Sequence, residues 1–278
     1  NQFELVGTKR FSSDNGAQGR LDFRLEYGNG TDGETYYYSS SGGEGKENFF
    51  ELKEAYVTLE KLDFLPEGSS VWAGRKFYGR DSTSCSGEFW KQSSGVGAGY
   101  ETNKFAMAVV GADLDKTSAA PDRKTALVLD TRVKNIKVPG GSVELQVNLY
   151  AQKNAKTVAE GGNDDTADSG IGAGITYNIN KWYGAKDGWS KAAIAYGTGM
   201  GAYACGGLNF GSWLNGADKD SNSLFLTTYG MVNLSNKVQM GTEATMLTGE
   251  KMYGQETLTR AGVTLSPSYK VTKNLRLT

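Results

Sequence analysis

Between Gly79 and Ser93 the chain gathers Arg80 and Asp81, a run of small hydroxyl residues, Cys85, Glu88 and the aromatic pair Phe89-Trp90. Side chains of this kind bind by charge, hydrogen bond and ring contact, and nothing near them makes or breaks bonds. The sequence has no histidine, which removes the commonest general base, the usual partner of a nucleophilic serine or cysteine, and the commonest metal ligand. Asp164-Asp165, beside Gly161-Gly162-Asn163, lacks the spacing of a calcium loop and reads as a solvated stretch. The carboxylates Asp22, Glu26, Glu51 and Glu144 alternate with Arg24, Lys53 and Arg132 in their segments, but no motif selects two of them as an acid–base pair. The two cysteines, Cys85 and Cys205, stand in no metal-like spacing, and no cofactor is indicated. What remains is the chemistry of recognition. A long polar loop between adjacent strands, here 79–93, usually binds something or folds over a site.

The elements that must hold this stretch are strands. Leu21-Asp22-Phe23-Arg24-Leu25-Glu26-Tyr27 puts apolar residues on one face and charges on the other, and Val143-Glu144-Leu145-Gln146-Val147-Asn148-Leu149 does the same with polar partners. Ile171, Ala173, Ile175, Tyr177 and Ile179 alternate with Gly172, Gly174, Thr176 and Asn178. Strict period-two alternation means strands with one greasy and one wet face. About fourteen strands are expected on this pattern, at 2–10, 19–28, 49–60, 70–78, 94–102, 104–113, 124–138, 142–152, 169–180, 190–199, 223–234, 237–247 and 257–270, with a last one running to 278. Short links carrying turn residues, such as Asn103-Lys104 and Pro139-Gly140-Gly141, take turns with long ones at 29–48, 79–93, 114–123, 153–168, 200–222 and 248–256. This parity suits an antiparallel up-and-down meander with two unlike ends, as in transmembrane β-barrels. At this strand number a lumen is too wide to be filled by side chains, so the charged face should line water and the apolar face should meet lipid. Trp182, Tyr183 and Trp189 about one short turn fit an interfacial belt. The net charge of −1 argues against nucleic acid as a partner.

One stretch also carries a family likeness. WAGRKFYGRD, an aromatic pair and SGVGAG, with Trp72, Ala73, Gly74, Phe77, Tyr78, Arg80, Ser94, Gly95, Gly97, Ala98 and Gly99 in register, resemble the maltoporin family of sugar-specific outer-membrane porins. The resemblance implies a single barrel domain over 1–278 in the outer membrane of a Gram-negative bacterium. It also implies a partial chain whose full form has roughly sixteen to eighteen strands, with 79–93 folded into the lumen as a constriction. Facilitated diffusion of sugars or oligosaccharides would follow, ring faces stacking on aromatics and hydroxyls pairing with charges. By that likeness Phe89 takes the place of a constricting tyrosine, Arg80 of a loop arginine, Lys53 of a wall arginine, Glu4 of a wall glutamate and Phe210 of a slide phenylalanine. Asp81, Glu88, Trp90 and Arg24 would complete the pore lining. The family's loop latch onto a neighbouring subunit would fall at 29–48, with Tyr36-Tyr37-Tyr38, and would imply a homotrimer. In an oxidising envelope Cys85–Cys205 is a candidate bridge pinning the constriction. Ser82, Ser84 and Gly87 stand where the family has acidic residues and a histidine, so length and linkage of the sugar stay open. Two other readings stay open as well: a secreted or surface carbohydrate-binding β-protein, and a general porin without a sugar site.

Overall fold

A computed structural model of the chain describes residues 2–14, 16–28, 49–87, 89–113, 125–152, 167–202, 205–210, 218–252, 255–272 and 276–277. The alternation read in the sequence folds as an all-β, antiparallel, up-and-down sheet. Its strands are β1 (Gln2–Ser12), β2 (Gln18–Gly28), β3 (Phe49–Glu60), β4 (Ser70–Ser82), β5 (Phe89–Glu101), β6 (Phe105–Asp113), β7 (Thr125–Val138) and β8 (Gly141–Gln152). They continue with β9 (Ser169–Trp182), β10 (Lys186–Gly199), the two-residue β11 (Asn209–Phe210), β12 (Asn222–Asn233), β13 (Val238–Met252), β14 (Gln255–Lys270) and the short β15 (Arg276–Leu277). Every strand pairs with its neighbour in sequence, except that β10 pairs directly with β12 while β11 leaves the path and pairs with β5.

Two link assignments change. The expected long link at 248–256 is only the step between Met252 and Gln255, because β13 and β14 run on as a hairpin. The expected loop 79–93 is largely strand, since β4 continues to Ser82 and β5 begins at Phe89.

The sheet exposes large apolar residues on its outer face and buries charged and polar residues, beside two apolar clusters, on its inner one, unlike a soluble protein. On β8, Leu145, Val147 and Leu149 are exposed while Gln146, Asn148 and Tyr150 are buried. On β10, Ile194 and Tyr196 are exposed between buried Ala193 and Ala195. An outward greasy band with polar groups inside is what a strand wall in hydrocarbon requires. At the turn between β9 and β10, Tyr183 and Trp189 are half exposed, and the Tyr183 hydroxyl meets Thr228 Oγ1 at 2.8 Å.

The wall forks at β4 and β5. Pairing of β3 with β4 runs only from Ala55↔Arg75 to Glu60↔Ser70, and β5 with β6 only from Val96↔Gly111 to Glu101↔Ala106. Past those points β4 and β5 stay paired with each other through Lys76↔Gly95, Tyr78↔Ser93 and Asp81↔Lys91. They leave the wall together as a two-stranded ribbon. Gly74 stands at the fork with φ 129°, and a Cβ there would lie 2.3 Å from the Ala55 carbonyl oxygen. Side chains serve backbone groups that lose ladder partners. Arg75 Nη1 donates to the Leu52 carbonyl at 2.8 Å, and the Phe77 amide donates to Glu54 Oε1 at 2.9 Å.

Candidate functional site

The ribbon is tied to the inner face at its root, middle and tip. At the root, the Ser93 hydroxyl donates to Asp130 Oδ2 at 2.5 Å, and Arg132 donates to the same carboxylate from Nε at 2.7 Å and Nη2 at 2.5 Å. Gln146 donates onward to Asp130 and Asn148, Asn148 donates to the Tyr150 hydroxyl, and Tyr150 donates to the Gly207 carbonyl. Asp130 is fully buried. Its charge is tolerable there because the Arg132 guanidinium faces it and Ser93 and Gln146 donate to it as well. The Arg132 guanidinium lies where a Cβ on Gly79 (φ 59°) would fall, so the bend at Gly79 and the Arg132 position depend on each other. Lys91 Nζ reaches Glu144 on β8 at 2.5 Å.

In the middle, Asp81 takes Lys191 of β10 at 2.7 Å and the Tyr229 hydroxyl of β12 at 3.0 Å. Trp90 Nε1 donates to the same tyrosine at 3.1 Å, and the Trp90 ring stacks on Phe225 at 6.1 Å between centroids. At the tip, the backbone amides of Cys85 and Ser86 donate to Glu243 Oε2 of β13 at 3.0 and 3.1 Å, and the Ser86 hydroxyl donates to Oε1 at 2.7 Å. A ribbon rooted in β4 and β5 thus touches β7, β8, β10, β12 and β13. The inner face curves around it.

Aromatic rings and guanidinium groups alternate along the ribbon toward β2. The Arg80 guanidinium carbon stands 4.3 Å from the centre of the Phe77 ring and 3.9 Å from that of Phe89, and Arg24 of β2 stands 5.6 Å from Phe77. Arg24 is paired with Glu4 at 3.1 Å and Glu54 at 2.9 Å. Each guanidinium lies against a ring face, which fixes ring and charge together. Such an array offers apolar ring edges, donors and acceptors side by side.

Of the residues expected from the sequence, Arg80, Phe89, Arg24 and Glu4 are brought together here, and Asp81 is held on the adjoining stretch of the ribbon. Trp90 is 0% exposed, so its ring anchors the ribbon and offers no face to a solute, contrary to the pore-lining role expected. Lys53 is 3% exposed with Glu26 at 3.8 Å, a buried charge and not a free wall cation. Phe210 pairs through its backbone with Ser93, its side chain lying outside the described residues. Glu88, the 29–48 loop and Asp164-Asp165 also lie outside them. Cys85 carries a free thiol, so the expected bridge to Cys205 is not formed in this structure; the Cys205 side chain is outside the described set. Phe77, Asp130, Arg132, Tyr229 and Glu243 belong to the arrangement and were given no role in the ribbon by the sequence.

A second segment also turns inward. Residues 200–202 and 205–210, expected as part of a long external loop, form two 3-10 turns (Met200–Ala202 and Cys205–Gly207) and then β11. The Gln92 amide donates to the Leu208 carbonyl at 2.9 Å, Asn209 pairs with Gln92 in parallel register, and Asn209 Nδ2 donates to the Phe89 carbonyl at 2.5 Å. Leu208 is buried with Trp90, Ala195, Phe225 and Tyr229. The segment fits because the wall behind it is bare: a Cβ on Gly172 would stand 2.0 Å from the Gly207 carbonyl oxygen. The signal was available as Gly170-x-Gly172-x-Gly174 on one strand face.

Comparison with known proteins bears on this arrangement. The family model described as LamB porin matches residues 1–278. A maltoporin of Vibrio cholerae serotype O1 (strain El Tor Inaba N16961) is 26% identical over 229 residues, covering 78% of this chain and 52% of that protein. A maltoporin of Hahella chejuensis is 27% identical over 226 residues, covering 80% of this chain and 52% of its own length. The chain therefore spans about half the length of the curated relatives it matches. Among solved structures, a mutant of the Rh. blastica porin aligns over 96% of this chain and 89% of that one, at 12% identity and a TM-score of 0.40.

Proposed function

This chain belongs to the LamB porin family, and from that premise we propose that it forms wall and constriction of an outer-membrane channel for sugars. The observation that carries the reading is the ribbon crossing to β10, β12 and β13 with Arg24, Phe77, Arg80 and Phe89 stacked in alternation. Ring edges beside the guanidinium groups suit the C–H faces and hydroxyls of a pyranose. Many weak contacts, none dominant, let a solute enter and leave. In this reading the sugar passes uncleaved, and its movement follows the concentration gradient. The Gram-negative outer membrane and a homotrimeric assembly are part of the proposal, supported by the family and by the outward greasy band.

Swelling of liposomes that hold the full-length protein tests it. Sugars should enter faster than amino acids of equal size. Equal rates for both would leave a general porin, and no swelling together with full solubility in detergent-free buffer would leave a water-soluble carbohydrate-binding protein.

A further inference from the structure

Phe89 opens β5 directly after the ribbon tip, where the ladder is irregular: pairing jumps from Tyr78↔Ser93 to Asp81↔Lys91 and then to Ser82↔Phe89. Ser82 pairs with Phe89 across this irregular stretch, and the Arg80 guanidinium covers one face of the Phe89 ring. A further constraint comes from β11, which lies against β5 in parallel register through Asn209↔Gln92 and Phe210↔Ser93. Its Asn209 amide reaches the Phe89 carbonyl at 2.5 Å. Asn209 is only 7% exposed, and its Oδ1 is buried without a hydrogen-bond partner among the described residues. Burying an amide oxygen in that way is costly, and an apolar side chain of similar size would escape the penalty. What the amide contributes is its N–H donor, aimed at one carbonyl.

We propose that Asn209 is a positioning residue for the aromatic contact: β11 turns the ribbon into a three-stranded element, and the Asn209 side chain sets the backbone, and so the ring, of Phe89. This deepens the channel reading and rests on it for its consequence on sugar binding. Leu208, packed against Trp90, and the bare wall at Gly172 hold β11 in place, so the aromatic contact is placed by two chain segments more than a hundred residues apart in sequence, 89–93 and 205–210.

The test uses the full-length protein in planar bilayers, with potassium chloride as current carrier and maltotriose as probe solute. Asn209→Leu keeps bulk and removes the donor; Asn209→Ser removes bulk and reach, and serves if the first variant does not fold. Both should raise open-channel noise and weaken the maltotriose block about fivefold, the factor carried by one lost hydrogen bond. In a Phe89→Ala background the same changes should add nothing, because the ring they position is gone. Wild-type noise in both variants, or effects that add fully to Phe89→Ala, would overturn the proposal. Should the wild type ignore maltotriose and other sugars while the noise coupling to Phe89 persists, the sugar reading fails and the positioning role stands.

Discussion

Arg80 is the residue on which the site turns, because its guanidinium lies between two rings, 4.3 Å from one and 3.9 Å from the other. Phe89 therefore gives one face of its ring to the cation, and in the channel reading a solute meets the remaining rim. Replacing it with alanine removes a contact worth about 1 kcal/mol and also an obstruction. Phe89→Ala should weaken sugar block several-fold while raising ion conductance; an unchanged current and block in single-channel records would place the ring off the path. Behind the ribbon the chemistry is of another kind. Asp130 and Arg132 are a buried pair, and neutralising one member strands the other. Asp130→Asn should cost about 3–5 kcal/mol, seen as a lower temperature for the electrophoretic shift from folded to unfolded mobility. Were that temperature unchanged, the pair would be solvated and the ribbon root looser than its distances imply.

The elements divide into those written in local pattern and those that are not. Strands such as β8 and β9 were legible because alternation is a local property, set by which face meets which medium. The continuation of β4 past Tyr78 and of β5 before Ser94 was not, since both faces of a ribbon inside a wet interior carry polar groups and alternation fades. Phe77 shows the same limit: within the wall pattern it counts as an outward apolar residue, yet beyond the fork it stacks on Arg80. The inward course of 205–210 depends on remote contacts, and only the glycines at 170, 172 and 174 hinted at it. Gly172→Val should push that segment off the wall and, through Asn209, disturb Phe89; current noise equal to wild type would show the segment yielding without consequence. The shortest contacts of the ribbon tip with the wall go to one carboxylate, which receives two amides and a hydroxyl. Glu243→Gln weakens charge-assisted bonds by roughly 1–3 kcal/mol in total, so low-frequency noise in single-channel records should rise. A quiet channel would mean the weaker Ser84 contacts suffice.

At the scale of the molecule, the reversed polarity makes a quantitative demand. Ile194 is exposed near the middle of β10, paired with the likewise exposed Ile175 and with the half-buried Leu226. Ile194→Arg should cost about 2–4 kcal/mol if that band meets acyl chains, measured by urea unfolding in lipid vesicles. A shift under about 0.5 kcal/mol, as at an ordinary wet surface, would contradict the lipid-facing assignment.

The reach of the ribbon also has a temporal consequence. Its partners arrive late along the chain: Asp81 waits 148 residues for Tyr229, and the Cys85 amide waits 158 for Glu243. Contacts this distant form slowly, after the neighbouring strands have zipped. The passage should therefore narrow last during refolding in detergent, its arrival marked by the signal of Trp90 as that indole becomes sealed against Phe225, well after strand content has levelled off.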